Sequence, residues 1–100
     1  MIRPLTEGIY QYDFADSVSK SRVHLRVDPD LSGLLVANAS RIVHLNPSAL
    51  YMAFLTLEKV PEKEALRALK DRFSAPMRQL KQGYLETRAR VEALIDENSG

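Results

Sequence analysis

At Asn46-Pro47 the spacing of apolar residues changes, and this change constrains the fold more than any other feature of the sequence. Before this point, short segments alternate apolar and polar side chains, which is typical of strands with one buried face. After it, apolar residues recur every three or four positions, which is typical of helices packed on a core. Asparagine is a favourable N-cap and proline suits the first helical position, so a helix is predicted to begin here. The sequence therefore predicts an α+β fold in which the strands come first and the helices follow.

The first half of the chain is predicted to form a three-stranded antiparallel sheet. Residues 22–27 alternate most clearly, with Val23, Leu25 and Val27 on one face. Residues 34–45 contain two apolar runs separated by Asn38-Ala39-Ser40, which suits a hairpin connection. Together these segments are predicted to make a small antiparallel sheet of about three strands.

Residues 1–21 are interpreted as an N-terminal extension. Tyr10, Tyr12 and Phe14 alternate within it, as in a short strand, and the polar stretch Ala15–Ser21 is predicted to be a loop. Whether this segment adds a fourth strand to the sheet is left open, and the domain proper is assigned to residues 22–98.

Three helices are predicted after Asn46. The first begins at Pro47, the second near Pro61-Glu62, and the third runs from Pro76 to Glu97. Gly83 lies inside the third helix, where it marks either the close approach of another backbone or simple tolerance. The predicted core positions are Leu50, Phe54 and Leu57 in the first helix, Leu66, Leu69 and Phe73 in the second, and Met77, Leu80, Tyr84, Val91 and Leu94 in the third.

Composition argues against several classes of function. The 100 residues include no cysteine, which excludes disulfides, thiolate metal sites and cysteine-ligated iron–sulfur clusters. The two histidines are too few for an all-histidine metal site, and the scattered glycines form no phosphate-binding loop. No apolar run approaches the ~20 residues that span a bilayer, and the first residues lack a signal-peptide core. We therefore expect a cytoplasmic, non-catalytic domain without metal, cofactor or membrane contact.

The charge of the chain is unevenly distributed. From Lys59 to Arg90 there are nine basic and four acidic residues, although the whole chain carries a formal charge of only +1. A basic helical segment can contact nucleic acid or an acidic peptide, and it is also typical of a solvated helix surface.

The expected architecture leaves strand edges without a partner. An extended peptide can join such an edge through backbone hydrogen bonds while its side chains enter neighbouring pockets. About four such bonds at ~1 kcal/mol each do not offset an association cost of roughly 4–15 kcal/mol, so apolar anchors are needed as well. A long helix beside the edge could supply apolar and basic side chains.

The stretch LLVANASRIVHLNPSALYMAFL, followed by a helix ending in ALKDRF and a third helix, resembles the PqqD-like domains, also called RiPP recognition elements. The resemblance covers about Leu25 to Leu94, and the segment Leu45–Ala49 is its closest match. It implies a winged-helix-like fold that binds the leader segment of a ribosomally synthesised, post-translationally modified peptide. The start of the chain through Phe14 is similar to that of radical S-adenosylmethionine maturases that carry this domain first. Because the chain lacks cysteine, that chemistry would belong to an enzyme in cis or in trans.

The resemblance also implies where the peptide binds. In this family the site lies between the third strand and the third helix. Carried over by position, it comprises Arg41, Ile42, Val43 and His44 on the strand and Lys81, Leu85 and Arg88 on the helix. The strand would supply backbone hydrogen bonds, Ile42 and Leu85 apolar contacts, and the basic residues would meet acidic leader side chains.

Two other functions remain open from the sequence. One is a winged-helix DNA-binding regulator with the basic third helix in the major groove, although the strands precede all three helices whereas a conventional wing follows the recognition helix. The other is a homodimerisation or docking domain that uses the long third helix.

Overall fold

The chain forms a four-stranded sheet followed by three helices. The structure, a computed structural model, describes the backbone of residues 2–15, 20–38 and 41–99 and the side chains of residues 2–14, 22–38 and 41–96. The elements are β1 (Gly8–Ala15), β2 (Lys20–Val27), β3 (Gly33–Ala37), β4 (Arg41–Leu45), α1 (Pro47–Leu57), α2 (Glu62–Arg72) and α3 (Met77–Ser99). The predicted α+β class and the order of strands before helices are confirmed.

The sheet is antiparallel with the order β1-β2-β3-β4. It has one strand more than the three predicted, and the additional strand is the N-terminal one that the sequence left open. β1 pairs with β2 along its full length, with Tyr10 opposite Leu25 and Tyr12 opposite Val23. Tyr10 also lies edge-on to Phe54 of α1, with ring centroids 5.5 Å apart. The aromatic side chains of β1 therefore extend the buried face of the sheet, which is why this strand belongs to the fold.

The predicted loops fall partly outside the described residues. Ala15 ends β1 and Lys20 begins β2, so the connection is shorter than the predicted Ala15–Ser21, and its residues 16–19 are not described. Of Asn38-Ala39-Ser40, only Asn38 is described.

α1 is the central helix of the molecule. It packs against α2, α3, β3 and β4, and its Asn46 cap accepts a hydrogen bond from the Ala49 N–H over 2.9 Å, as predicted. It is buried on nearly every side, more fully than a single stripe at Leu50, Phe54 and Leu57 predicts. The fully buried core side chains include Val23, Leu25, Leu35, Leu50, Phe54, Leu55, Leu69, Tyr84 and Val91.

α3 packs across α1 and reaches β2 and β3. Four of its five predicted core positions, from Leu80 to Leu94, are buried. Met77 is 42% exposed, so its predicted place in the core is wrong: it stands at the first residue of the helix, before the helix reaches the core.

The segment before β1 packs near the β1 edge of the sheet, and β4 forms the opposite edge. Leu5 is buried, and Ile2 to Leu5 lie beside Tyr51 of α1 and Ala68 of α2. Arg3 holds the segment in place through a 2.7 Å ion pair with Glu58 at the end of α1. The N-terminal segment therefore leaves the outer edge of β4 uncovered.

Candidate functional site

The outer edge of β4 presents backbone groups without a strand partner. In the described part of the chain, β4 pairs with β3 alone. The N–H of Asn38, just after β3, donates a hydrogen bond to the C=O of Arg22 on β2. The backbone groups of successive residues in a strand point to alternate sides, so those of Leu35, three residues earlier, face β4 instead. Its partner Val43 therefore bonds to β3. This alternation leaves the N–H and C=O groups of Ile42 and His44 directed outward.

A groove of about 530 Å³ begins where this edge ends. Asn46, the first residue after β4, lines it together with Ser48 and Met52 of α1. The other wall is the face of α3 that carries Gly83, Thr87 and Arg90, and the loop before α3 closes one end with Phe73, Ser74 and Ala75. Asn46 therefore places the groove directly after the end of β4.

The groove has a polar rim and an apolar floor. The Asn46 side chain accepts a hydrogen bond from the Ser48 hydroxyl over 3.1 Å, in addition to capping α1. The Thr87 hydroxyl lies 3.7 Å from the sulfur of Met52 and connects the two walls. Met52 and Leu80 are almost completely buried and present the apolar surface of the floor.

The lining of the groove carries one basic and one acidic side chain. Arg90 of α3 is exposed there, and Glu86 accepts a 3.4 Å hydrogen bond from Gln82. Arg41 and His44 are exposed on β4. An acidic group of a ligand that lies in the groove can pair with Arg90.

The four residues of the predicted site that belong to the strand all lie on β4. Arg41, Ile42 and His44 are exposed, Ile42 to 58%, and Val43 is half-buried on the helix side of the sheet. These four residues and the outward groups of the backbone lie together at one edge.

The helix half of the predicted site lies elsewhere. Arg88 forms a 3.2 Å ion pair with Glu62 of α2 and stacks over the ring of Tyr84, with 5.5 Å between its Cζ and the centroid. Leu85 packs against the core, and Lys81 is exposed outside the groove. With about 100° per helical residue, these positions occupy the side of α3 that turns toward α2. The structure does not bring them together with β4.

The residues of α3 that line the groove were missed by the sequence reasoning. Gly83, Thr87 and Arg90 share a face at i, i+4 and i+7, and only Gly83 offers a signal in the sequence, as a glycine inside a helix. The rotation of α3 about its axis decides which face meets the groove, and that rotation depends on packing against α1 and α2.

The described residues contain no group of three or more histidine, cysteine or acidic side chains that could hold a metal ion. Within that part of the chain, none of the helices is long and apolar enough to cross a membrane.

The chain was compared with protein-family models, curated proteins and solved structures. None of these three comparisons returned a match.

Proposed function

We propose that this chain is a peptide-recognition domain of the PqqD-like, winged-helix-like type. In this proposal it binds the leader segment of a ribosomally synthesised precursor peptide in the cytoplasm. It then presents the precursor to a modifying enzyme of the radical S-adenosylmethionine class, in cis or in trans. The domain itself contributes binding and positioning, and the enzyme contributes the chemistry.

The observation that carries the proposal is the outer edge of β4, where the outward backbone groups of Ile42 and His44 meet no second strand in the described part of the chain. The outward groups of Ile42 and His44 offer two donors and two acceptors, which can form four hydrogen bonds to an added strand. At ~1 kcal/mol each these bonds contribute about 4 kcal/mol, at the low end of the cost of association.

The groove supplies the remaining free energy. A strand added beside β4 turns alternate side chains to the helix side of the sheet, where the groove opens beside Asn46. Each apolar side chain buried on Met52 and Leu80 contributes about 1.5–3 kcal/mol, and Arg90 can pair with an acidic residue of the peptide. The site of this proposal therefore consists of the β4 edge and the α1–α3 groove.

A proline scan of the two sheet edges tests strand addition. His44→Pro removes an outward N–H and leaves the bonds between β3 and β4 intact, because proline is tolerated at edge positions whose N–H faces outward. We expect binding of a leader peptide encoded beside this gene to weaken about 3- to 10-fold relative to His44→Ala, the loss of one hydrogen bond. The measurement is isothermal titration calorimetry.

The matched control is Gln11→Pro on β1, the opposite edge of the sheet. The same alternation directs the Gln11 N–H outward, so this variant removes an equivalent donor far from the groove and should bind like wild type. Equal affinity of His44→Pro and His44→Ala, or no binding by the wild type to any neighbouring leader, would contradict the proposal.

The same preparation tests the alternative of DNA binding. Affinity for duplex DNA that falls steeply with salt and disappears when Arg88 and Arg90 are neutralised would favour a DNA-binding regulator instead. We expect no saturable binding to duplex DNA at low salt.

A further inference from the structure

Gly83 occupies an unfavourable position in α3. It lies seven residues into a 23-residue helix, where glycine is the least favourable residue after proline. It is half-buried and lines the groove opposite Met52 of α1. Glycine at this position is either simply tolerated, or it serves backbone conformation, helix packing or the groove.

The backbone conformation of α3 does not demand glycine at this position, and the packing leaves a Cβ atom one tight contact, with Met52. Gly83 has no positive φ angle; among the described glycines only Gly8 has one. A Cβ atom at Gly83 would lie 3.1 Å from Cε and 3.5 Å from Sδ of Met52. This contact is tight by a few tenths of an ångström, and it involves the free end of a flexible, unbranched side chain that can shift.

The side chain of Met52 can shift only at the expense of the groove. A methyl group on Gly83 would occupy the α3 wall and displace the Met52 methyl group at the floor. The groove would narrow from both sides, at Gly83 and at Met52. Alanine at position 83 would therefore stabilise α3, and it would reduce the volume of the groove that a ligand can occupy.

We infer that Gly83 is a specificity-determining residue that keeps the groove wide enough for a large apolar side chain of the bound peptide. This inference rests on the proposed function and adds the class of side chain that the groove accepts. Alanine in place of glycine would exclude large side chains first, because they reach furthest toward the floor.

The test compares stability and affinity in Gly83→Ala. We expect thermal denaturation to show a melting temperature unchanged or raised by a few degrees. Calorimetry with the leader peptide used above should show affinity reduced at least 10-fold. A second peptide carries alanine in place of its largest apolar residue. For this peptide, the difference in affinity between the wild-type protein and Gly83→Ala should be much smaller.

Two further variants complete the test. Ala89→Leu adds bulk to an exposed position of α3 outside the groove and should bind like wild type. Met52→Leu in the Gly83→Ala background shortens the displaced side chain and should restore part of the affinity.

The possible results separate this inference from the proposed function. If the wild type binds and Gly83→Ala binds equally well, the inference is wrong and the proposed function stands. A lower melting temperature for Gly83→Ala, or a failure to fold, would show that glycine serves packing and would also overturn it. A wild type that does not bind the leader overturns the proposed function, and the inference falls with it.

Discussion

The carboxylate of Glu58 joins three segments that are far apart in the chain. It accepts hydrogen bonds of 2.7 Å from the hydroxyl of Tyr12 on β1 and from the guanidinium of Arg3, while its own residue follows α1. The guanidinium of Arg3 also lies 4.8 Å from the ring centroid of Tyr10. This cluster attaches the N-terminal segment to the helices.

Tyr12 gives the cluster a dependence on pH. Burial, reinforced by the hydrogen bond to Glu58, raises the pKa of Tyr12 well above its ordinary value of 10.0. A group whose pKa is higher in the folded state than in the unfolded chain stabilises the fold fully below the unfolded pKa. Its contribution is lost as the pH rises through the folded pKa. The window for this loss therefore begins near pH 10.

We predict that Tyr12→Phe is less stable than wild type by about 1 kcal/mol at pH 8, the value of one hydrogen bond. The difference should shrink as the pH rises from about 10, because only the wild type must keep a phenol protonated in the folded state. Urea denaturation at a series of pH values measures it. A difference that stays constant up to pH 11 would contradict the raised pKa.

At the scale of elements, β3 is constrained by its neighbours on two sides. Gly33 begins the strand and is buried between the backbone of β2 and α1. A Cβ atom there would lie 1.8 Å from the carbonyl oxygen of Arg26 and 2.8 Å from Cδ1 of Leu50. Unlike Gly83, this glycine faces backbone, which cannot move aside.

We predict that Gly33→Ala destabilises the fold by about 3 kcal/mol or more, since relief of the contact requires β2 and β3 to separate. Chemical denaturation with a constant m-value measures the loss. Val36→Ala in the same strand, on the half-exposed face, is the control and should cost less. A cost for Gly33→Ala below that of Val36→Ala would show that the strand has room for a side chain.

At the scale of the whole molecule, the N-terminal segment and the three helices share one core. Leu5 is buried, and Tyr10, Tyr12 and Phe14 of β1 pack against the cluster that contains Phe54. β1 also covers the edge of β2 that would otherwise be open. The binding edge at β4 and the edge covered by the extension are thus at opposite sides of the sheet.

We predict that a chain beginning at residue 20 is less stable than the full chain by at least about 3 kcal/mol. It loses the buried side chain of Leu5 and several partly buried ones, and a fully buried apolar side chain contributes roughly 1.5–3 kcal/mol. Thermal unfolding followed by circular dichroism measures the loss. A synthetic peptide of residues 2–15 added in trans should restore part of it. Unchanged cooperative unfolding of the shortened chain would show that residues 22–98 form an independent domain.

Local features of the sequence were sufficient to predict most of the elements. The alternation of Val23, Leu25 and Val27 identified β2, and Asn46-Pro47 located the start of α1. Both signals act within a few residues, through the pleat of a strand and the free N–H groups of a first helical turn. In β4, Ile42 and His44 are exposed whereas Leu45 is buried and Val43 half-buried, which is the alternation of a strand with one buried face.

The tertiary structure alone decided the place of β1 and the orientation of α3. Sequence spacing could not show that Tyr10 meets Phe54, nor that Arg88 turns toward Glu62 while Arg90 turns toward the groove. Periodicity states which residues of an element share a face, but the partner of that face is selected by packing among segments distant in the chain. The sequence by itself therefore determined which elements form and in what order, and the groove exists only because α1 and α3 pack at one particular rotation.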